Sequence, residues 1–136
     1  MPLPKVLYCI ACEGVRSEER RKATILGFFN IFPWVEIGVP AWGTPISTLM
    51  FLFGTTGGTG KGNFQLTVVN PDGTPLVKTP EVTVVFPEGV VDLNVGIAVG
   101  NLVFTAPGAY TLELRVSGQE SFRDTFKVRL DPPSQS

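Results

Sequence analysis

The chain has 136 residues and a formal net charge of −1, so one domain can bury a core without help from a disulfide or a metal. It contains no histidine, which removes the usual general base at neutral pH, the commonest zinc ligand and every Ser-His or Cys-His nucleophile pair. A balance this close to neutral argues against binding to nucleic acid or to an anionic membrane, because both need a strong basic field.

Charged residues are scarce. They make up 17% of the chain, against a typical share of about 25%. Because charge normally covers the outside of a protein, we expect another chain to cover some apolar surface.

The N-terminal segment predicts a cytoplasmic protein. Its apolar run, residues 6–12, is short and leads into a dense charge cluster, whereas a signal peptide needs a longer apolar core and small residues around a cleavage site. Pro33, Pro40 and Pro45 interrupt the longest candidate for a membrane helix, which needs roughly 20 apolar residues.

Apolar and β-branched runs of about 5–10 residues alternate with Gly, Pro, Asn and Asp clusters, which is the spacing of a sandwich. A charged turn, 17–22, and a proline-containing connection, 33–45, are expected between strands, and Asn70-Pro71-Asp72-Gly73 is a strong turn signal. The predicted strands are, in chain order, 5–16, 23–32, 46–53, 63–69, 81–86, 91–104, 109–116 and 120–130.

The last two predicted strands alternate between apolar and polar residues, which indicates one face in the core and one in water. Asp124 falls on the apolar side of the final strand and is expected to mark a bulge or a sheet edge. The sequence therefore predicts one all-β domain over residues 1–131, an antiparallel, immunoglobulin-like β-sandwich of about 7–9 strands. A disordered tail, 132–136, is expected to follow it.

The glycine-rich stretch GTTGGTGKGN, residues 54–63, resembles a phosphate-binding loop at first sight. That loop requires G-x-x-x-x-G-K-[ST] followed by a helix. Thr55 stands where the first glycine belongs, Gly62 offers no hydroxyl to a metal ion, and the next segment alternates like a strand. We therefore predict a flexible hairpin loop, with a mobile lid over a ligand as the functional alternative.

Cys9 and Cys12 form a C-x-x-C motif. A redox motif of this kind sits at the start of a helix, and a zinc site needs two more ligands that the sequence lacks. Residues three apart on a strand face opposite sides, so the two sulfurs are not expected to bridge. We predict two ordinary buried or half-buried thiols and no metal or other cofactor.

Residues 23–60 contain a single charge, Glu36, and the runs 25–29 and 49–53 are apolar on both faces. A strand that is apolar on both sides should be covered on both sides, either by the loop 34–45 folding back or by another subunit. Aromatic side chains are enriched in interface centres. The candidate interface residues are Phe28, Phe29, Trp34, Trp42, Phe51 and Phe53.

These features predict a non-enzymatic protein that self-associates or docks a protein partner. The alternative is a module that binds a small ligand or a carbohydrate, with loop 54–63 at the rim, Lys61 and Glu36 as rim residues, and Trp34 or Trp42 as a stacking platform. An enzyme would need carboxylates that converge around Glu36, and no catalytic residue is predicted.

The motifs Cys12-Glu13-Gly14-Val15-Arg16, then Glu18, then the run ATILGFF at 23–29 resemble the opening of a family of small bacterial proteins of unknown function. The turn at 70–73 and Pro107-Gly108-Ala109-Tyr110 fit the same pattern. The resemblance implies a single β-sandwich and brings no established activity. Pro-Gly-x-Tyr also resembles the penultimate strand of immunoglobulin-like and fibronectin-like domains, where the tyrosine hydrogen-bonds back to the preceding corner.

Overall fold

The structure, a computed structural model, describes residues 3–17, 23–89 and 92–131. All the regular secondary structure in these ranges is β-strand. The all-β prediction is confirmed. The strands are β1 (Lys5–Cys12), β2 (Gly14–Ser17), β3 (Ala23–Leu26), β4 (Asn30–Ile31), β5 (Glu36–Val39), β6 (Pro45–Thr56), β7 (Gly60–Val69), β8 (Pro75–Lys78), β9 (Val82–Phe86), β10 (Asp92–Val103), β11 (Gly108–Val116) and β12 (Gln119–Leu130).

The described ranges hold more strands than the sequence predicts. The first two predicted strands are each broken in two, and the short strands β5 and β8 have no counterpart in the prediction. No helix in these ranges is long and apolar enough to cross a membrane. The predicted tail and residues 18–22 of the predicted charged turn lie outside the described residues.

Two sheets pack against each other around one core. The four-stranded sheet has the order β10-β6-β1-β4 and is antiparallel throughout. In the six-stranded sheet β5, β12, β11 and β7 are neighbours in that order, and β8 and β9 pair with successive parts of the outer edge of β7. Only β5 is parallel to its neighbour among the described pairs. The predicted antiparallel sandwich is therefore confirmed, with β2 and β3 as an additional hairpin.

The core lies between the sheets and is rich in phenylalanine. On β6, Leu49, Phe51 and Phe53 alternate along the strand and are all 0% exposed. The ring of Phe32 lies 6.3 Å from that of Phe51 and 6.1 Å from that of Phe126 on β12, so aromatic contacts join the two sheets. Every second residue of β11 is buried as well, which confirms the predicted alternation.

The break in the first two predicted strands occurs at the base of the β2–β3 hairpin. The amide of Glu13 donates to the carbonyl of Gly27 at 3.1 Å. Gly27 has φ = 60°, and a Cβ there would lie 2.4 Å from the Glu13 carboxyl carbon. The turn therefore favours glycine for its backbone angle, whereas the exposed Glu13 side chain could move away from a Cβ.

Part of the predicted connection 33–45 forms β5 at the edge of the six-stranded sheet. Ile37 and Val39 are buried in the core at 0% and 1% exposure, and the strand pairs with residues 127–130 of β12. The segment therefore completes the six-stranded sheet; folding back over the strands that are apolar on both faces was one of the two predicted alternatives. Since β5 covers only the end of β12, Asp124 lies on an uncovered sheet edge, as predicted.

Two turns follow the chemistry that the sequence predicts. At the turn 70–73, the amide of Gly73 donates to the carbonyl of Asn70 at 2.9 Å, and Gly73 has φ = 91°. The hydroxyl of Tyr110, on the penultimate strand, donates to the carbonyl of Ala106 at 2.7 Å. This is the corner hydrogen bond that the Pro-Gly-x-Tyr motif predicts.

Candidate functional site

The outer face of the six-stranded sheet carries ion pairs. Glu113 on β11 accepts hydrogen bonds from Nε of Arg115 and from Nη2 of Arg123, both at 2.6 Å. Arg123 also donates to Glu120 at 2.6 Å, and this hydrogen bond raises the pKa of the guanidinium. Exposed ion pairs stabilise a fold only slightly, but they show that this face is adapted to water.

The outer face of the four-stranded sheet carries no charge over four successive rows of residues. Because the core residues of β6 are the odd-numbered ones, its even-numbered residues and their register partners point outward. Lys5 and Asp92, level with Thr56, bound the set at one end. The rows, which together we call the uncharged face, are Tyr8, Gly54 and Asn94; Ile31, Ile10, Leu52 and Gly96; Cys12, Met50 and Ala98; Thr48 and Gly100.

Accessibility varies across the uncharged face. Cys12 and Leu52 are covered by their neighbours within the chain, at 0% and 6% exposure. Ile10 and Met50 are half-buried, and Ala98 on β10 is exposed. Twelve positions, with about 4.8 Å between strands and two residues between rows, give a face of roughly 400 Å², in which Thr48 and Asn94 are polar.

A tyrosine closes one end of the uncharged face. The ring of Tyr8 lies over Gly54 of the neighbouring strand, where a Cβ would fall 2.1 Å from the ring. Its hydroxyl donates to Oδ1 of Asn94 on the next strand at 2.6 Å. Tyr8 thus ties three strands together, and Gly54 is required because a side chain there would displace the ring.

Two of the predicted interface residues belong to the core instead. Phe51 and Phe53 are 0% exposed and point between the sheets, so a partner cannot reach them without opening the sandwich. For these two residues the interface prediction is wrong. The sequence does show that the strand is apolar on both faces; the structure assigns the outward side to Met50 and Leu52.

The other four predicted interface residues divide into two pairs. Phe28 and Trp34 are 58% and 69% exposed and flank β4, the edge strand opposite β10. Phe29 and Trp42 are partly buried and pack against the core, so they contribute to the fold. Phe28 and Trp34 therefore stay as predicted contact residues.

The glycine-rich loop crosses from the four-stranded sheet to the six-stranded sheet, so it is not the predicted hairpin loop. The ring of Phe86 packs on it: a Cβ at Gly58 would lie 2.6 Å from that ring, and one at Gly62 would lie 3.5 Å from it. The loop leads directly into β7, which supplies no helix N-terminus for a phosphate. Packing against Phe86 thus accounts for Gly58, whereas a Cβ at Gly62 would meet that ring only at an ordinary contact distance.

The residues predicted to form a ligand site are not brought together. By register, Glu36 lies level with the start of β11, and Lys61 lies beyond its end, which is a separation of about 30 Å along the strand. Trp42 precedes β6 and the glycine-rich loop follows it, so the length of that strand separates them too. Glu36 is exposed and accepts a hydrogen bond from Arg129. The predicted arrangement of rim and platform does not form.

Cys9 and Cys12 are free and fully buried, on opposite faces of β1. Burial raises the pKa of both thiols, so both stay protonated at neutral pH. The prediction that both thiols are buried or half-buried is confirmed. Among the described residues, no group of three or more His, Cys, Asp or Glu side chains could hold a metal ion.

The residues of the uncharged face that were not predicted from the sequence lie on β10. Gly96 and Ala98 alternate there with Val95, Ile97 and Val99, which are 4–7% exposed. The alternation of very small with β-branched residues is visible in the sequence and indicates an outer face without bulk. It defines neither which face is outward nor that β10 lies at a sheet edge.

Fold and surface together define a two-sheet β-sandwich with one charged and one uncharged outer face. The chain belongs to a family of unknown function, DUF6941, whose model matches residues 7–129. The resemblance to a family of unknown function is thereby confirmed.

No curated protein sequence matches this chain. Among solved structures, one similar chain is the alkylpurine DNA glycosylase AlkC of Pseudomonas fluorescens, bound to DNA that contains an abasic site analogue. The TM-score is 0.43 and the identity 10%, over 72% of this chain and 28% of that chain. A similarity this low carries no inference about function.

Proposed function

We propose that the protein is a non-enzymatic interaction module that binds another protein chain, a second copy included, through the uncharged face. One observation carries the proposal. The two outer faces belong to the same sandwich, yet one holds a network of ion pairs and the other holds no charge over four rows. A face that only met water would need no such difference.

The chemistry of the face favours an apolar, closely fitting partner. Ile10 and Met50 offer half-buried aliphatic surface, and the small residues Gly96 and Ala98 let a partner approach the backbone of β10. Phe28 and Trp34, at the β4 margin, supply exposed aromatic side chains of the kind that anchors interfaces.

We propose a cytoplasmic location for this module. Two free, buried thiols on opposite faces of one strand fit a reducing compartment. A net charge of −1 supports a protein partner over nucleic acid or an anionic membrane.

The test compares two lysine substitutions in affinity capture from extracts of the native host. Ile10→Lys places a charge in the middle of the uncharged face, two strands away from β10. Thr125→Lys places the same charge on the exposed outer side of β12 and serves as the matched control. Urea unfolding checks that both variants keep their fold.

We expect the wild type and Thr125→Lys to retain a partner chain. With Ile10→Lys, the amount of that chain retained should fall at least tenfold. The proposal fails if the wild type retains nothing, or if folded Ile10→Lys retains the same chains as the wild type.

A further inference from the structure

We infer that β10 is a dimerisation edge, along which the four-stranded sheet pairs antiparallel with β10 of a second copy about a two-fold axis at Gly96. Among the described residues β10 pairs only with β6, so its other edge presents unpaired backbone groups. Such an edge is a ready template for another strand, and natural monomers protect it with charge, proline, bulges or short length.

The other sheet edges are protected in these ways and β10 is not. β4 has two residues, β5 has four, and the edge formed by β8 and β9 carries Pro75, Lys78 and Pro80. The parts of β12 and β1 that β5 and β4 leave uncovered carry charges: Glu120, Arg123 and Asp124 on β12, and Lys5 on β1. β10 has twelve residues, and from Leu93 to Val103 it contains neither a proline nor a charge. It is therefore the one long, unprotected edge in the described part of the chain.

The second copy is the occupant because β10 is complementary to itself. The regular part of the strand ends at Asn101, which has φ = 53° and after which Leu102 turns into the core at 3% exposure. A two-fold axis through the centre of the regular part, Asp92–Gly100, passes through Gly96.

In that register every facing pair is compatible in size and polarity. On the core side Leu93 faces Val99 of the second copy, and Val95 faces Ile97. On the outer side Gly96 faces its own copy, and Asn94 faces Ala98. All residues from Leu93 to Val99 are uncharged, so no like charges meet within the paired stretch.

The second sheet leaves room for this pairing. A groove of about 330 Å³ separates Gly96–Gly100 from residues 77–80 of the six-stranded sheet. Lys78 at its rim is exposed, and its long stem lets the ammonium group stay in water. The partner strand therefore meets an open, mostly apolar side of the sandwich.

The size of the contact sets its strength. Nine residues span about 30 Å, and one sheet with its side chains is roughly 10 Å thick, which gives about 300 Å² per copy and 600 Å² in all. This is below the size of a specific, stable interface and in the range of weak, transient ones. The dimer should therefore form and dissociate within an accessible concentration range.

Pairing along β10 also joins the two uncharged faces into one surface of roughly 800 Å², about what one partner contributes to a standard interface. This last step rests on the proposed function, whereas the dimer does not. Ile10→Lys tests the composite face and leaves the β10 edge untouched, so failure of one proposal is distinguishable from failure of the other.

Two double variants at the same two positions test the dimer. In Asn94→Glu/Ala98→Glu, carboxylates face each other across the axis twice, and like charges directly opposite are destabilising. In Asn94→Lys/Ala98→Glu, each lysine faces a carboxylate of the other copy. Both sites are exposed, and both variants replace the Asn94 amide that accepts the Tyr8 hydrogen bond. Urea unfolding of each variant checks that the fold is kept.

Light scattering behind a sizing column, over a dilution series, gives the mass. We expect twice 14.7 kDa for the wild type at high concentration and for the Lys/Glu variant, and 14.7 kDa for the Glu/Glu variant. A wild type that stays at 14.7 kDa throughout, or two double variants with the same mass, would overturn the inference.

The register has its own test. Asn94→Cys and Ala98→Cys proteins, oxidised separately, should stay uncrosslinked, because each position is about 13 Å from its own copy. Their mixture should form a disulfide-linked dimer, since positions 94 and 98 face each other. Cys9 and Cys12 are buried and do not interfere. Crosslinking of either variant alone, or none in the mixture, would refute the axis at Gly96.

Discussion

Replacing Phe51 by alanine tests which face of β6 lies in the core, because its neighbour Met50 faces the other way. Phe51 is 0% exposed and its ring lies 6.3 Å from that of Phe32 and 6.2 Å from that of Phe126. Removing a buried phenylalanine costs about 3–5 kcal/mol through lost burial and the cavity left behind. A protein of this size is stable by only about 5–15 kcal/mol, so a large part of the stability is lost.

Met50→Ala is the matched control. Met50 lies on the same strand, one residue away, but on the half-buried outer face. Its truncation removes partly solvated surface and leaves no closed cavity, so we expect a loss below about 1.5 kcal/mol.

Urea unfolding followed by tryptophan fluorescence measures both variants against the wild type. We expect the free energy of unfolding of Phe51→Ala to be far below that of Met50→Ala. The slope m should be unchanged if the denatured states are alike. Equal losses, or a larger loss for Met50→Ala, would refute the assignment of the inward and outward faces of β6.

Three further predictions follow from the buried groups. Tyr110→Phe should lower the free energy of unfolding by about 1 kcal/mol at pH 7, because the corner hydrogen bond is lost. Burial raises the pKa of Tyr110 above its ordinary 10.0, so the stability that Tyr110 contributes is full below pH 10. In urea titrations at higher pH, the difference between the wild type and Tyr110→Phe should shrink. Cys9 and Cys12 should resist a thiol reagent in the native protein and both react in urea; fast native labelling would contradict their burial. Gly58→Ala should lower the free energy of unfolding by about 1–3 kcal/mol through its clash with an aromatic ring, whereas Gly14→Ala, with open space at its Cβ, should not; equal effects would refute the packing.

Local patterns predicted the parts of the fold that depend on neighbours in sequence. The turn at 70–73, the Tyr110 corner and the alternation of β11 and β12 each depend on residues within one or two elements. β5 escaped prediction because its alternation of Ile37 and Val39 with Glu36 and Gly38 covers only four residues of a proline-containing segment. Its strand character comes from pairing with β12, about 90 residues away along the chain.

The candidate site was predicted only in part, for a related reason. The sequence shows that 49–53 is apolar on both faces, but the choice of inward face depends on how two sheets pack. Phe51 and Phe53 were predicted to be contact residues, yet they fill the core and leave Met50 and Leu52 outside. Gly58 in the 54–63 loop has a physical explanation in Phe86, a contact that no local pattern records.

Amide hydrogen exchange of the wild type at two concentrations tests most directly whether the four-stranded sheet meets a second copy along β10. We expect the peptides that cover Asp92–Gly100 to gain protection as concentration rises, while those covering β8 and β9 exchange at the same rate throughout. Exchange in β10 that does not change with concentration, or protection that appears only elsewhere, would contradict the account.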